Sequence, residues 1–265
     1  CADRMGVAVG VGVAGDFSGV AGRVDGNLVD ASYLIENDAE IAIVTSKDDD
    51  ALELLRHDAA HVMAQAVLEL YPKAKLGIGP PIDTGFYYDF DLGKDQDGKP
   101  VTFSPEDLQN IEERMKALLK KNAKFEHSSM SVADAKEFFA DQPYKLELID
   151  ELAQGKIDEN GKPISEPVSE VSIYRQRDFV DLCRGPHVPH TGFVKAIKLT
   201  KVSGAYWRAD QSKAQLQRLY GTAFFNKKEL KEHLRFLEEA KKRNHRKIGE
   251  ALDLFSFHDE APGMP

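Results

Sequence analysis

Between Ser46 and Pro72 the chain carries Leu52, Leu55, Ala59, Val62, Ala66 and Leu70 at helical spacing, with no internal glycine or proline. A stretch of this length and period predicts one long amphipathic helix, whose apolar face needs a second layer to cover it. Lys47-Asp48-Asp49-Asp50 places acidic side chains at the start, where the helix dipole favours them, and Pro72 ends the run. His57 and His61 are four apart on this helix, so they share one face about 5–6 Å apart at Cβ. At 3.6 residues per turn that face lies roughly 160° around the axis from the apolar stripe. The pair is therefore not part of the stripe: it either meets solvent or lines a cleft.

Upstream, residues 1–46 read as a small β-rich domain with an irregular start. Arg23–Asp30 holds an Asp-Gly-Asn turn between apolar positions, and Ile41–Thr45 is a β-branched run. Val7–Ala14 is apolar, but its alternating glycines and the lack of a preceding basic region favour a loop or ragged strand over a signal peptide. Downstream, Leu76–Gly85 is broken by Gly and Pro and leads into an aromatic strand, Phe86–Phe90. Ser104-Pro105-Glu106-Asp107 starts a helix with Leu108, Ile111, Met115, Leu118 and Leu119 as its buried stripe. Ser131-Val132-Ala133-Asp134 starts a shorter one bearing Phe138 and Phe139. Residues 145–200 read as short strands between turns, so residues 47–225 are expected to form an α+β domain. Residues 226–247 predict a charged helix with a narrow seam of Leu230, Leu234 and Leu237 and a basic end, Lys241–Lys247. It is either a solvated helix between domains or a surface that faces RNA.

With 42% hydrophobic and 30% charged residues in 265, the chain can bury a core and does not have the profile of a disordered protein. No run is long enough to span a membrane. A net charge of −9 excludes non-specific nucleic-acid binding over the whole surface, though not a local basic patch. Cys1 and Cys183 are the only cysteines and cannot make a disulfide framework, which points to a reducing, cytoplasmic setting.

The residues that carry chemistry fall in two places. One is the His57/His61 pair. The other is Asp181-Leu182-Cys183-Arg184-Gly185-Pro186-His187, a thiol and an imidazole four apart in a Gly-Pro loop. Three imidazoles and one thiolate form a plausible tetrahedral zinc set. A metal-free hydrolytic site and a coincidence of spacing are the other two readings.

Arg56–His61, Gly77–Tyr88, Asp181–His187, Gly204–Arg208 and Leu219–Ala223, taken as an ordered set, resemble the editing domain of bacterial threonyl-tRNA synthetases. The likeness runs from about residue 21, through the charged helix and Leu252–Phe255, to the last residues. It implies a ubiquitin-like β-grasp (TGS) domain over 1–46, an editing domain over 47–225, a linker helix over 226–247, and over 248–265 the approach to a class II catalytic domain. The chain stops before any motif that could bind ATP or threonine. ATP, magnesium and zinc are therefore expected only in that catalytic domain, and no cofactor is expected for editing.

The resemblance also implies roles. Editing domains of alanyl-tRNA synthetases hold zinc on the equivalent His/His/Cys/His set, whereas the threonyl family works without it, so no metal is expected on His57, His61, Cys183 and His187. Those four residues, with Asp181 and Lys145, are the implied catalytic group; read from its own neighbours, Lys145 is a surface strand lysine. The reaction is hydrolysis of the ester in Ser-tRNA(Thr). His57 and Lys145 position or activate water, Asp181 holds the α-ammonium, and His61, Cys183 and His187 shape the pocket. Tyr87, Tyr206 and Trp207 are either core or a stacking surface for the terminal adenosine, and Lys195, Lys198 and Lys201 are candidates for acceptor-stem phosphates. The family is a homodimer through its catalytic domain, so this piece is expected to be monomeric, with the tRNA(Thr) acceptor end as its partner. A freestanding deacylase, a zinc-stabilised RNA-binding module and a regulatory β-grasp module are the competing readings.

Overall fold

The computed structural model describes residues 7–8, 19–156, 166–243, 248–249 and 252. The long periodic stretch is helix α1 (Asp49–Leu70). Asp48 braces its start by accepting hydrogen bonds from Thr45 N (2.6 Å) and Thr45 Oγ1 (2.8 Å). Leu55, Ala59, Val62 and Ala66 are buried as the periodicity predicts, but Leu70 is 41% exposed, because the last turn runs past the layer that covers the rest. Burial also extends well around the axis. Arg56, Asp58, His61 and Gln65 are buried with the stripe, so α1 is a central helix covered on several sides.

The first of those layers is a five-stranded antiparallel sheet. It contains β6 (Lys75–Leu76), β7 (Pro81–Ile82), β8 (Gly85–Asp91), β12 (Ala196–Tyr206) and β13 (Gln215–Phe224). Helix α2 (Pro105–Leu119) packs beside α1, started by a capping box in which Ser104 and Asp107 satisfy each other's backbone N–H. Period-2 alternation sorts the aromatic strand. Phe86, Tyr88 and Phe90 enter the core beneath the helices, opposite Leu219 and its neighbours. Tyr87 points to the other face, where the Arg218 guanidinium lies 3.9 Å from its ring centroid. Gly79 lets the Tyr88 ring lie against the backbone, since a Cβ there would sit 2.1 Å from Tyr88 Cδ2.

The second layer is a three-stranded sheet of β9 (Glu126–Ser131), β10 (Glu170–Gln176) and β11 (Phe179–Leu182), in the order β11-β10-β9. Helices α3 (Val132–Phe138) and α4 (Pro143–Ala153) form a core with it around Leu148, Ile149, Ile173, Leu182 and Trp207. Lys145, read from its neighbours as a surface strand lysine, is therefore corrected to a buried residue of a helix. Pro143 sits in its first turn, and Tyr144, Leu148, Ile149 and Leu152 recur on one helical face.

A third sheet, β3-β2-β5, comprises β2 (Gly19–Val24), β3 (Asn27–Val29) and β5 (Ile41–Thr45). Val20, Ala21 and Val44 share a core with Ala51 and Leu54 of α1 and with Val188. The short strands β1 (Val7–Ala8) and β4 (Leu34–Ile35) pair with each other. All of this lies in one compact unit, Cys1–Asn226. The second unit starts at Lys227 and holds the charged helix α5 (Lys227–Lys242). Asn244–Lys247 of its basic end, Phe255 and the terminal residues 261–265 fall outside the described residues. Among the described residues, no helix is long and apolar enough to cross a membrane.

Candidate active site

His57 and His61 line a cleft rather than facing open solvent. The cavity, of about 700 Å³, is bounded by α1, by the Ile78–Pro81 turn, by Lys145 and Leu148 of α4, and by Leu182–Pro186 after β11. Leu28 of the small sheet closes one side. His57 is half-buried, while His61, Cys183, His187, Asp181 and Lys145 are each at most 5% exposed.

Distant parts of the chain meet here through short contacts. Cys183 Sγ lies 3.3 Å from His57 Nε2 and 3.3 Å from His187 Nε2, and His57 Nε2 lies 3.3 Å from His61 Nε2. Gly185 N–H donates to the same sulfur at 3.3 Å. The four donor atoms all fall within 4.8 Å of one another. Ring stacking fixes the imidazoles further: His187 lies between His57 and Phe125, with centroids at 4.6 and 4.7 Å.

A second group backs the first. Lys145 Nζ lies 2.5 Å from Asp181 Oδ1 and donates to Tyr88 Oη at 3.1 Å. Tyr88 O–H donates to Asp181 Oδ2 at 2.6 Å, and Leu182 N–H donates to Asp181 Oδ1 at 2.8 Å. A carboxylate offers about four lone-pair positions, and three are filled. His61 Nδ1 lies 3.9 Å from Oδ2, beyond hydrogen-bond distance.

Burial decides the protonation of the imidazoles. Desolvation first, then the neighbouring His187, His61 and Lys145, holds His57 well below the ordinary histidine value. His61 is pushed down to about 3 and His187 to about 4, in both cases mainly by burial. All three rings are therefore neutral at pH 7, and the His61–Asp181 approach is not an ion pair. His187 Nδ1 faces Asp58 Oδ1 at 2.6 Å, while Asp58 Oδ2 accepts from Val188 N–H at 3.2 Å. With Asp58 ionised the ring proton sits on Nδ1 and the Nε2 lone pair faces Cys183. Burial raises the Asp58 carboxyl well above its ordinary value, and a protonated Asp58 reverses that donor.

Asp58 and Tyr88 were overlooked in the sequence as site residues. Asp58 had a signal: it sits among Leu55, Ala59 and Val62, and a carboxylate on an apolar face demands a buried partner. Tyr88 had none, because nothing local distinguishes it from Tyr87.

The remaining candidates do not line the cavity. Tyr87 is on the opposite face of its sheet. Trp207 is 2% exposed, and its indole N–H donates to Glu147 Oε2 at 2.9 Å. Tyr206 is 40% exposed at the end of β12. Lys195, Lys198 and Lys201 are exposed. Lys198 pairs with Glu112 at 3.0 Å, and Lys201 Nζ lies 4.4 Å from the Tyr220 ring centroid.

Three of the donor–donor separations, at 3.3 Å, match the edges of a zinc tetrahedron, while the whole set spreads to 4.8 Å. Zinc bonds of about 2.0 Å to nitrogen and 2.3 Å to sulfur give tetrahedral edges of roughly 3.3–3.5 Å. The Asp58–His187 contact is the carboxylate–histidine arrangement that orients such ligands.

The cleft, its layers and its imidazole–thiol set make up an α+β domain with one candidate hydrolytic site. Residues 171–220, which include Asp181, Cys183 and His187, match the family described as the threonyl and alanyl tRNA synthetase second additional domain. The α1 histidines and Lys145 lie outside that match and join it only through the fold. The chain is 53% identical over 246 residues to a threonine–tRNA ligase from Desulfatibacillum aliphaticivorans, covering 93% of this chain and 35% of that protein. It is 51% identical over 261 residues to the one from Desulforapulum autotrophicum, covering 98% and 38%. For the one from Geobacter sp. the identity is 49% over 258 residues, covering 97% and 37%. The chain belongs to the threonine–tRNA ligase family. It spans a little over a third of the length of the curated relatives it matches.

Proposed function

We propose that this chain is the proofreading part of a threonine–tRNA ligase and hydrolyses the ester of Ser-tRNA(Thr). The observation that carries the reading is the meeting of His57, Cys183 and Lys145 around one cavity, with Asp181 paired to Lys145 behind its wall. A synthetic site gains only about 1–3 kcal/mol from the methyl that threonine has and serine lacks, so a second, hydrolytic site is needed for accuracy. In the terms of that family, the small N-terminal sheet is the TGS-like portion and α5 the linker helix. The complete ligase reaction, with ATP, threonine and tRNA(Thr), is proposed only for a full-length protein of this family, since the chain covers 35–38% of its relatives.

Ester hydrolysis needs an oriented water, a donor for the developing oxyanion and a hold on the α-ammonium. His57 is neutral and borders the cavity, so it accepts a hydrogen bond from water or from the ribose hydroxyl. Its depressed basicity makes it a better positioning acceptor than a strong base. Lys145 is the cation nearest the Asp181–Tyr88 pair and faces the cavity, which suits it to stabilise the oxyanion. Asp181, just behind Lys145 and Tyr88 in the cavity wall, is the anion that attracts the ammonium. Cys183 and His187 keep His57 in place. A zinc ion, if bound, would be held by His57, His61, Cys183 and His187 and would polarise the ester carbonyl. We assign the reaction to the side chains alone.

The test is deacylation of Ser-tRNA(Thr) and Thr-tRNA(Thr) by the wild-type chain, His57→Ala and Cys183→Ala. Serine release that persists unchanged in both folded variants removes the proposal.

A further inference from the structure

Asp30 follows β3 in the small N-terminal sheet, outside every motif that points to hydrolysis. Its carboxylate nevertheless reaches the loop that carries Cys183 and His187. Asp30 Oδ1 accepts from His187 N–H at 2.7 Å, and Asp30 Oδ2 accepts from Tyr174 O–H at 2.5 Å. Tyr174 stands on β10 and touches the same loop from the other side. Its ring centroid lies 4.3 Å from that of His187, and a Cβ on Gly185 would meet Tyr174 Oη at 2.1 Å. Gly185 also has φ +70°, which glycine adopts without strain. The loop is thus gripped between a phenol and a carboxylate from separate sheets. Two further contacts tie the small sheet to this end of the cavity: Leu28 lines it, and Arg23 pairs with Asp50, another lining residue.

We propose that Asp30 is a positioning residue of the hydrolytic site, so that the N-terminal sheet completes a site otherwise built by the editing domain. This rests on the hydrolytic reading above. The physical argument is that the loop through Gly185 and Pro186 is held at separate points, Cys183 N–H by Ser172, His187 N–H by Asp30 and Val188 N–H by Asp58, and Asp30 is the one that holds the backbone of His187 itself. Its register, and with it the 3.3 Å contact between His187 Nε2 and Cys183 Sγ, depends on where the His187 backbone is pinned. Asp30 supplies that pin, and Tyr174 holds Asp30 to a single rotamer. Without the carboxylate, the His187 N–H loses its acceptor and the imidazole–thiol pair loses its alignment with His57.

The experiment compares the wild-type chain with Asp30→Ala, Asp30→Asn and Tyr174→Phe. Two quantities are measured: amide hydrogen exchange at His187 against amides of β13, and kcat and KM for Ser-tRNA(Thr). Asparagine can still accept from His187 and donate to the Tyr174 oxygen, so Asp30→Asn is expected to stay within about threefold of wild type in both. Asp30→Ala should speed His187 exchange by about tenfold or more and lower kcat by a similar factor, with KM and β13 exchange unchanged. Tyr174→Phe should shift exchange in the same direction by less, which keeps the idea testable if Asp30→Ala does not fold. Unchanged exchange at His187 in Asp30→Ala overturns the proposal. So does equal damage from Asp30→Asn, or a rise in exchange spread evenly over the whole chain. A wild-type chain that releases no serine defeats the hydrolytic reading instead, and the exchange data still judge the role of Asp30.

Discussion

Lys145 Nζ and Asp181 Oδ1 lie 2.5 Å apart, and both side chains are almost wholly enclosed. They come from α4 and β11, and the pair joins a helix to a strand at the back of the cavity. A cation and an anion in such surroundings are tolerable only together. Lys145→Met is therefore expected to cost about 3–5 kcal/mol of stability, because it removes the counter-ion of the buried Asp181 carboxylate. Adding Asp181→Asn should return most of that loss in urea denaturation. Hydrolysis should stay absent in both variants, and activity in the double variant would sink the assignment of these two groups.

His57 borders the cavity and is only half-buried. His57→Ala should leave stability within about 1 kcal/mol of wild type. Serine release should fall by about 10²–10⁴, the usual contribution of a group that directs a proton transfer. Single-turnover deacylation, paired with a melting curve, separates the two effects.

The donor set makes a clear prediction about zinc. If water is positioned by His57, chelators leave hydrolysis unchanged, and added zinc inhibits by taking the nitrogen that water needs. Cys183→Ala should weaken that inhibition by removing the thiolate ligand. Stimulation by stoichiometric zinc would reverse the metal-free assignment.

Acid should weaken the fold through its buried histidines. His61 at about 3 and His187 at about 4 both lie below the ordinary 6.5. Below pH 6.5 the unfolded chain takes up protons that the folded chain refuses. The stability they contribute is thus complete above that pH and is lost as pH falls toward the folded values. Asp58, raised by burial, acts in the opposite sense, so a single-site comparison is needed. His61→Gln keeps a polar group without the titration. The stability difference between wild type and His61→Gln should shift toward the variant by up to about 2 kcal/mol from pH 7 to pH 5. A difference independent of pH would refute the buried, neutral state of His61.

The parts of the fold with strong local signals were readable in advance. The period of α1, the Ser104–Asp107 capping box and the aromatic run of β8 each follow from a few neighbouring residues. Helix α4 was misread because Tyr144, Leu146 and Leu148 alternate over a run too short to separate period 2 from period 3.6. Its true period shows only when Ile149 and Leu152 are counted. The histidine pair and the Cys183–His187 loop could be found as separate halves, but their junction is a property of the packed sheets. Lys145 was legible only by family likeness, since its helix α4 receives the partner Asp181 from the distant strand β11. Asp30 was legible by neither route, because both of its partners are more than a hundred residues away.

Tyr87 and Tyr88 are chemically the same residue on opposite sides of β8, one beneath Arg218 and one joined to Asp181. Deleting one residue within this strand would exchange them, turning the surface phenol inward and leaving Lys145 and Asp181 without their shared hydroxyl. Length changes in this part of the gene should therefore be selected against more strictly than most replacements at Tyr87 itself, and length variation should gather instead in the exposed turn at Gly93–Gly98.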